Sequence, residues 1–533
     1  MRKFMIFIFF IILICNLTFG ENSEVSVEVP EFNVSLNGEV IDSDHSIYPI
    51  FVYKDLTYFP MTSDFVKGLG LKLHFAENTG IEINKGSVSA FNQEFLSHSI
   101  QDKTFEASLV PFSIHINGKL IDNNNEPYPL LFYKDITYFP MTWRFAHDEF
   151  GLEYQFSNTS GLAINGLKGS VSLYPKRVVL TVGEDTSQVG LTFNLDIDES
   201  IQVRVYNESL ELVSQSNTYV DSMMVDDKIL YVHKAEIDHL DDGTNYYYRI
   251  ESETEKSKLH GFKTIDHETT LAFFGDIQGY KLSQYQRFYD VFKESRTDRE
   301  FDINYIAGDI VDNGDDWSEW SYLENAMLGE LSKNIMVTSI GNHDVKYSDE
   351  YYTKTFNYPD NGIDDLSERN FYFDLPYARV AVLDTESVSR YDAQSKWLKE
   401  IMLDTDKFKL VMMHRSAYPM MYDETHIRNL SETFEEADID LVLSGHDHIY
   451  NRTTMADGIK VQPSEGVTYI VGGSGSGSKF YAELGNRYWK EVIYDDNNPV
   501  YTVINIKKVI IEIEAYAIVD DKSILIDQLN IRK

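Results

Sequence analysis

The chain has 533 residues, which is enough for three or four domains of about 100–200 residues each. Hydrophobic residues make up 43% and charged residues 25% of the chain, as in an ordinary folded protein, which excludes a globally disordered chain. Acidic residues outnumber basic ones by 85 to 47, so the surface repels nucleic-acid backbones and anionic lipid, and nucleic-acid binding by charge is not expected.

The first twenty residues have the pattern of a secretory signal peptide. A basic start, 1–3, precedes an apolar run, 4–15, and small residues favour cleavage after Gly20. The run is shorter than the roughly 20 residues that span a bilayer; an uncleaved anchor is the alternative. We therefore predict a secreted or cell-surface protein with no transmembrane span in the mature chain. Cys15 is the only cysteine, so disulfides and thiolate metal sites are excluded from the mature chain.

Two segments of the N-terminal part are repeated with an offset of 80 residues. Residues 35–42 match 115–122, and residues 53–62 match 133–142. Two copies are too few for a solenoid, so the sequence predicts small tandem domains.

Each repeat is predicted to be a small α+β domain, the first over 31–86 and the second over 111–167. Short strands surround an Asn-Gly turn, and a brief helix follows over 62–69 or 142–150. The Asn-Gly and Tyr-Phe-Pro-Met-Thr sequences resemble the small amino-terminal "stalk" domain of copper amine oxidases. The resemblance implies a spacer or a cell-wall or surface attachment module, without copper or quinone chemistry.

The next region, 169–265, is predicted to be a β-sandwich of the fibronectin type III kind. Turn residues separate its candidate strands, which are 178–182, 190–194, 201–205 and 246–250. Residues 175–182 together with 262–264 resemble the amino-terminal domain of purple acid phosphatases. This region offers no chemistry of its own.

The last region, 269–533, alternates apolar strand-like runs with polar helical stretches, as an α/β domain does. Five of these runs end at a glycine or histidine beside metal-ligand types. The candidates are Asp276 with Gln278, Asp309, Asn342 with His343 and Asp344, His414, and His446 with His448. In α/β sheets, sites form outside the carboxyl ends of the strands, so these residues are expected to converge.

The histidines support convergence, because only five lie beyond residue 268 and four belong to these motifs. The fifth, His426, lies in a polar stretch and is predicted to be on the surface. His446 and His448 are two residues apart, and in an extended strand such residues point the same way. Carboxylate, imidazole and amide ligands suit hard and borderline divalent ions. If one carboxylate bridges two metal ions, these residues form two incomplete coordination shells whose ions lie about 3.5–4 Å apart.

The ordered set Gly-Asp, Gly-Asp, Gly-Asn-His-Asp, His, Gly-His-x-His resembles the calcineurin-like metallophosphoesterases. The stretch 445–453 is most similar to their purple acid phosphatase branch. The resemblance implies a four-layer α/β/β/α domain and two metal ions. By position, Asp276, Asp309 and His448 would hold one ion, and Asp309 would bridge to a second ion held by Asn342, His414 and His446.

The same resemblance implies a mechanism. A metal-bridging hydroxide would attack the phosphate, while His343 would assist the leaving group and Asp344 would orient His343. Two positions depart from the family pattern: Asp312 stands where purple acid phosphatases have a tyrosine ligand, and Gln278 stands where many members have histidine. The side-chain oxygen of Gln278 could therefore bind an ion weakly or not at all, and the ions could be Mn, Fe or Zn, divalent or of mixed valence.

The sequence thus predicts a secreted dinuclear-metal phosphoesterase acting on a small phosphate ester, with a phosphomonoester favoured. A nucleotide or cyclic-nucleotide phosphodiesterase is the alternative within enzymes. A catalytically idle cell-surface binding protein is the alternative from another class.

Overall fold

The computed structural model describes residues 24–37, 39–76, 80–86, 99–100, 102–157, 161–165, 173, 175–226, 228–252, 256–257, 259–327, 329–422 and 424–533. The predicted signal peptide, with Cys15, lies outside these ranges. Within them, no helix has both the length and the apolar character that a membrane crossing requires.

The two repeats contain fourteen strands, one α-helix, one π-helix and one 3₁₀ turn in their described ranges. The strands are β1 Glu24–Glu28, β2 Val34–Leu36, β3 Glu39–Val40, β4 Phe51–Tyr53, β5 Leu56–Pro60, β6 Leu71–Ala76, β7 Gly80–Lys85, β8 Thr104–Leu109, β9 Ile114–Ile116, β10 Lys119–Ile121, β11 Leu131–Tyr133, β12 Ile136–Pro140, β13 Glu153–Ser157 and β14 Gly161–Asn165. The helices are α1 Ser63–Gly68, the π-helix Trp143–Glu149 and the 3₁₀ turn Asn123–Asn125. Both predicted brief helices are therefore present.

The chain divides into two compact units. The first comprises the described parts of 1–31, 48–90 and 101–151, and the second those of 32–47, 91–100 and 152–533. The first unit contains a closed six-stranded barrel of order β1-β4-β5-β12-β11-β8, with three strands from each repeat. Its core contains three pairs of residues that are 80 positions apart: Val27 and Ala107, Phe51 and Leu131, Tyr58 and Tyr138.

The repeats are thus not two separate tandem domains, which corrects the sequence prediction. Besides the shared barrel, the sheet β10-β9-β7-β6 joins a hairpin of each repeat, and so does the sheet β13-β14-β2-β3 in the second unit. The predicted Asn-Gly turn connects β9 to β10, with φ of 48° at Asn117 and 77° at Gly118. Two consecutive positive φ values are typical of the tight turn that joins antiparallel strands.

The region predicted to be a β-sandwich contains eight strands in the part that the structure describes. They are β15 Lys176–Val182, β16 Val189–Leu195, β17 Gln202–Tyr206, β18 Leu212–Asn217, β19 Tyr219–Val225, β20 Lys228–Ile237, β21 Asn245–Glu251 and β22 His260–Lys263. One sheet has the order β18-β17-β21-β22. The other, β19-β20-β16-β15, does not end within the sandwich, because Thr181 of β15 pairs in parallel with Met336 of the following region. The sandwich and the last region therefore share a sheet.

In its described residues, the last region contains fourteen strands and six α-helices. The strands are β23 Thr269–Phe274, β24 Ile303–Ile306, β25 Met336–Thr338, β26 Phe371–Asp374, β27 Ala378–Leu383, β28 Phe408–Met413, β29 Leu441–Ser444, β30 Tyr450–Ala456, β31 Ile459–Lys460, β32 Val467–Gly472, β33 Val492–Tyr494, β34 Val500–Lys507, β35 Ile510–Val519 and β36 Lys522–Arg532. The helices are α2 Leu282–Glu294, α3 Trp317–Met327, α4 Glu350–Thr355, α5 Tyr391–Leu403, α6 Thr425–Arg428 and α7 Leu430–Glu436. Short 3₁₀ turns are Glu330–Ser332, Asp364–Leu366 and Val388–Arg390.

Two sheets face each other in this region. The first continues as β15-β25-β24-β23-β34-β35-β36, and the second has the order β26-β27-β28-β29-β32-β30-β31. Alternate residues of β28 belong to two cores: Leu410 and Met412 pack in the core that includes the first sheet, whereas Val411 and Met413 pack with α5 and α7. Because successive strand residues point to opposite faces, this alternation defines the predicted α/β/β/α layering.

A segment of the first repeat contacts this region within the second unit. Oδ2 of Asp42 accepts hydrogen bonds from Nδ1 of His45 at 2.9 Å and from the hydroxyl of Tyr289 on α2 at 2.9 Å. Asp42 is 2% exposed, so this carboxylate is a buried anchor for the segment.

Candidate metal centre

The predicted ligands lie at the carboxyl ends of strands in both sheets. Those that follow the first sheet are Asp276, Gln278, Asp309 and Asn342, and those that follow the second are His414, His446 and His448. Their donor atoms form two groups, Asp309 with His414 and His446, and Asp276 with Asp309 and His448. Within each group the ligand atoms lie within 4.8 Å of one another. Asp309 belongs to both groups, which is the arrangement of a bridging carboxylate.

His414 is oriented by the main chain. Its Nδ1 donates to the carbonyl oxygen of Ala307 at 2.7 Å, so the neutral imidazole, which is the form that binds metal, would carry its lone pair on Nε2. Nε2 lies 3.2 Å from Oδ1 of Asn342, 3.2 Å from Nδ1 of His446 and 3.4 Å from Oδ1 of Asp309. Four candidate donors to one ion are thus adjacent.

The other group, Asp276 with Asp309 and His448, is built in the same way. Nδ1 of His448 donates to the carbonyl oxygen of Lys479 at 3.0 Å, and Nε2 lies 3.1 Å from Oδ2 of Asp276. Oδ1 of Asp276 accepts from the backbone N–H of His446 at 2.7 Å. A main-chain bond therefore fixes each of these side chains and leaves one donor atom directed into the centre.

Two buried oxygens test whether a cation fits. Oδ2 of Asp276 and Oε1 of Gln278 have no hydrogen-bond partner among the described residues. The contact of Oδ2 with Nε2 of His448 does not have hydrogen-bond geometry. Unpaired buried polar atoms are unfavourable, and a bound ion would satisfy them. Nε2 of Gln278 lies 3.4 Å from Oδ2 of Asp309; rotating the amide by 180° would turn Oε1 toward that atom. The donor set fits two divalent ions, with Gln278 as an additional oxygen ligand.

His446 and His448 do not lie in an extended strand. The prediction that their side chains point the same way assumed such a strand. Both lie in the connection from β29 to β30, with φ of 69° and 52°, and Asp309 has φ of 47°. Positive φ is unfavourable for residues with a side chain, and such strain concentrates at functional sites. The left-handed backbone explains how neighbouring histidines reach different groups, as the resemblance implied.

Two glycines allow this close packing. Gly308 has φ of 85°, and a Cβ there would lie 2.8 Å from Nδ1 of His414. A Cβ on Gly445 would lie 2.5 Å from Oδ1 of Asp276. Any larger residue would displace a ligand side chain.

The electrostatics of the centre favour cations. Burial alone would raise the pKa of Asp309, but His414 and the other nearby histidines lower it below its ordinary value. Burial lowers the pKa of His414, yet Asp309 outweighs it and raises that pKa to about 10. Burial, His414 and Arg415 lower the pKa of His446 to about 2, which keeps it a neutral imidazole, the form that binds metal.

Asp344, which was predicted to orient His343, has backbone partners instead of the ring of His343. Its oxygens accept backbone N–H bonds from Ile310 at 2.8 Å, Val311 at 3.2 Å and Gly341 at 2.9 Å. It therefore joins the loops after β24 and β25. The ring of His343 is instead held by Asp312, whose carbonyl oxygen accepts from Nδ1 at 2.8 Å, with Oδ1 of Asp312 3.4 Å away.

A cluster behind His446 was missed by the sequence reasoning. Nε2 of His446 lies 3.2 Å from Nη1 of Arg415 and 3.7 Å from Oε1 of Glu424. Arg415 forms ion pairs with both Glu424 and Glu386. The only sequence signal for this cluster was that Arg415 directly follows His414. Glu386 and Glu424 lie outside the predicted motifs, in loops without a recognisable pattern.

The glycine-rich stretch after β32 borders the centre. Its Gly475 donates to the carbonyl oxygen of Asp276 at 2.8 Å, and Oγ of Ser478 donates to that of Gln278 at 2.6 Å. It thus holds the loop that carries two of the candidate ligands. His426 is exposed, as predicted.

Two segments of the chain match known protein families. Residues 269–450 match the calcineurin-like phosphoesterase family, and residues 175–264 match the purple acid phosphatase N-terminal domain. Along the chain, the segment that matches the N-terminal domain directly precedes the segment that matches the phosphoesterase family. The phosphoesterase match includes every predicted ligand of the two groups, whereas the likeness of the repeats to amine oxidase stalks stays a prediction.

Curated relatives agree with this assignment. The chain is 23% identical over 266 residues to the phosphoenolpyruvate phosphatase of Allium cepa, covering 45% of this chain and 54% of that protein. It is 24% identical to purple acid phosphatase 21 of Arabidopsis thaliana, covering 58% and 72% respectively. The chain spans about half the length of the first of these relatives.

A solved structure shows the same fold. The purple acid phosphatase PPD1 from yellow lupin (Lupinus luteus) seeds superposes with a TM-score of 0.56 at 14% identity, covering 81% of this chain and 82% of that one. The phosphoesterase domain and the sandwich before it therefore form a purple acid phosphatase-like fold.

Proposed function

We propose that the chain is a secreted dinuclear-metal phosphoesterase that hydrolyses a small phosphate ester, with a phosphomonoester favoured. The observation that carries the proposal is the sharing of Asp309 by two groups of donors, Asp309 with His414 and His446, and Asp276 with Asp309 and His448. The matched phosphoesterase family and the phosphatase names of the relatives support the same reaction class. Secretion rests on the N-terminal sequence pattern alone.

Each ligand side chain has a stated part in the proposal. One ion would be held by Asp276, His448 and Gln278. The other ion would be held by His414, His446 and Asn342. Asp309 would contact both ions. Ions bound here supply charge neutralisation and an acidified water as nucleophile. Mn, Fe and Zn all accept such mixed oxygen and nitrogen donors.

His343 is proposed to protonate the leaving group. Nδ1 donates to Asp312, so the second proton of an imidazolium is on Nε2, the nitrogen on the other side of the ring. The side chain is 19% exposed, and the adjacent backbone N–H of His343 donates to Asp309 at 2.8 Å. The imidazole is therefore fixed beside the metal groups and is accessible to a substrate. Asp312 is proposed to orient it in place of Asp344.

Hydrolysis of p-nitrophenyl phosphate and of bis-p-nitrophenyl phosphate tests the function, with Mn²⁺, Fe²⁺ or Zn²⁺ added to the purified protein. We expect the monoester to be hydrolysed faster and a chelator to abolish the reaction. His343→Asn should lower kcat by roughly 10²–10⁴-fold, the usual contribution of a general acid. His426→Asn, at the exposed histidine, is the matched control and should retain activity. Absence of turnover of both esters with every metal would refute the proposal.

A further inference from the structure

Two tyrosines stand against the two histidines of the His-Asp-His stretch. The ring of Tyr422 lies 4.7 Å from that of His446, and the ring of Tyr481 lies 4.7 Å from that of His448. The two tyrosine rings are 5.7 Å apart and nearly perpendicular, at 89°. Together they form a continuous aromatic surface, here called the tyrosine wall, along one side of the metal centre.

The tyrosine wall is held in place by Asp447, the residue between the two histidines. Its carboxylate accepts the backbone N–H groups of Met420 at 2.5 Å, Met421 at 2.9 Å and Tyr422 at 3.2 Å. Asp447 is fully buried, and a carboxylate with three amide donors is a strong fixed contact. The turn that carries Tyr422 is thus tied directly to the stretch that carries the ligands.

The loop that carries Tyr481 is tied to the same turn. Leu484 donates its N–H to the carbonyl oxygen of Met420 at 3.1 Å, and Nε1 of Trp489 donates to that of Pro419 at 3.1 Å. The carbonyl of Lys479, two residues before Tyr481, holds Nδ1 of His448. Both tyrosines are therefore preorganised, which lowers the entropy cost of binding a ligand between or against them.

Both tyrosines are only partly buried, beside a centre whose buried ligands have little exposure. The nearby carboxylates do not compete for a ligand, because Asp447 is occupied by amides and Glu386 and Glu424 by Arg415. The accessible surface on this side is thus aromatic and without a free carboxylate, and Nζ of Lys479 lies over the ring of Tyr481, 5.3 Å from its centroid. Aromatic rings bind planar aromatic groups through stacking.

We propose that the tyrosine wall binds the organic part of the phosphate ester and selects an ester whose alcohol carries a planar aromatic group, such as a nucleobase or an aryl ring. This inference rests on the proposed function. The phosphate would occupy the metal centre, and the aromatic group would stack on Tyr422, Tyr481 or both.

The test compares two esters that share one leaving hydroxyl. Adenosine 5′-monophosphate and ribose 5-phosphate differ in the base, so the ratio of their kcat/KM values reports base recognition rather than leaving-group chemistry. We expect the metal-loaded wild type to prefer the nucleotide roughly fivefold to a hundredfold, the factor for one base on an aromatic ring. Phenyl phosphate provides the aryl arm, and it distinguishes a directly attached ring from a nucleobase.

Matched variants assign the preference to the tyrosine wall. Tyr422→Leu and Tyr481→Leu should reduce the ratio toward one, whereas Tyr422→Phe and Tyr481→Phe should keep the ratio. Tyr488→Leu, at a tyrosine of the same loop that is 59% exposed, is the control and should change nothing. Calorimetric binding of the methylene-phosphonate analogues of both esters provides a readout without turnover.

The outcomes separate the two proposals. The leucine variants could hydrolyse ribose 5-phosphate and show the same nucleotide-to-sugar ratio, and the same rate with phenyl phosphate, as the wild type. That result would refute the tyrosine wall and leave the proposed phosphoesterase intact. Failure to hydrolyse any ester, with tight and base-dependent binding of the phosphonates, would refute the phosphoesterase and retain an aromatic site. Equal binding of both phosphonates would overturn the inference.

Discussion

The backbone N–H of His343 donates to Oδ1 of Asp309 at 2.8 Å, so the proposed acid and the shared carboxylate are joined by one hydrogen bond. The same oxygen lies 3.4 Å from Nε2 of His414. Asp309 thus contacts residues from two strand ends of the first sheet and one of the second. A change at this carboxylate should affect both metal positions and the proposed acid at once.

Asp309→Asn should remove most bound metal and the activity together, because the amide keeps the shape but loses the charge that both ions share. Elemental analysis of the purified variant, beside its hydrolysis of p-nitrophenyl phosphate, measures both effects. Asp315→Asn makes the same change at an exposed carboxylate six residues along the chain and should leave both unchanged. Two ions per chain in Asp309→Asn would contradict the bridging assignment.

Much of this centre was predictable from the sequence because each ligand follows a strand-like run. The strands Thr269–Phe274, Ile303–Ile306 and Phe408–Met413 end within three residues of Asp276, Asp309 and His414. Parallel strands bring such ends to one edge of a sheet. Local pattern and general sheet geometry were therefore sufficient for these residues.

The sequence could not predict contacts between residues that are distant along the chain. Asp344 is adjacent to His343 in sequence, yet its oxygens point to the amides of Ile310, Val311 and Gly341. In the repeats, the two copies have nearly the same sequence, so pairing within a copy and exchange between copies satisfy the same pattern. Only the three-dimensional packing of Phe51 on Tyr138, with ring centroids 4.3 Å apart, shows the exchange.

Asp344→Asn should destabilise the fold rather than retune His343. Three backbone N–H groups converge on the carboxylate, and an amide offers only one oxygen to accept them. Each buried donor left unsatisfied costs about 1–3 kcal/mol, so the melting temperature should fall clearly. Thermal unfolding checks this, with Asp364→Asn at an exposed carboxylate as control. An unchanged melting temperature with a shifted pH–rate profile would instead restore the role predicted from sequence.

Glu424→Ala should weaken metal binding at His446. Once Nδ1 of His446 binds an ion, Nε2 carries the proton, and Arg415, itself a donor, is no longer a suitable partner. Glu424 lies 3.7 Å from Nε2 and its Oε2 is buried without a hydrogen-bond partner among the described residues. Loss of such a supporting carboxylate typically lowers metal affinity by about 10–100-fold.

Competition with a chelator measures this affinity directly. Glu424→Gln retains an acceptor oxygen and should recover most of the affinity. Glu432→Ala, an exposed glutamate of α7, should bind metal as the wild type does. Equal metal affinity of Glu424→Ala and the wild type would exclude the supporting role.

Asp42→Asn should destabilise the protein in a pH-dependent manner. Burial alone would raise the pKa of Asp42, but the bonds from His45 and Tyr289 outweigh it and hold the pKa below 3.8. A carboxylate with a depressed native pKa stabilises the fold above its unfolded pKa, and that contribution is lost as the pH falls through the native value. Hydrogen bonds to a charged group contribute about 1.5–3 kcal/mol, which is the expected deficit at pH 7.

Chemical denaturation at pH 7, 5 and 3 measures this deficit against the wild type. The difference should be full at pH 7 and pH 5, and it should shrink at pH 3 because the carboxylate of the unfolded wild-type chain is then largely protonated. Asp122→Asn, at the position 80 residues later in the second repeat, is the matched control, since Asp122 is exposed and bonds to the side chain of Asn125. A deficit of equal size at Asp122, or one that does not change with pH at Asp42, would show that the buried carboxylate does not anchor the segment 32–47 to α2.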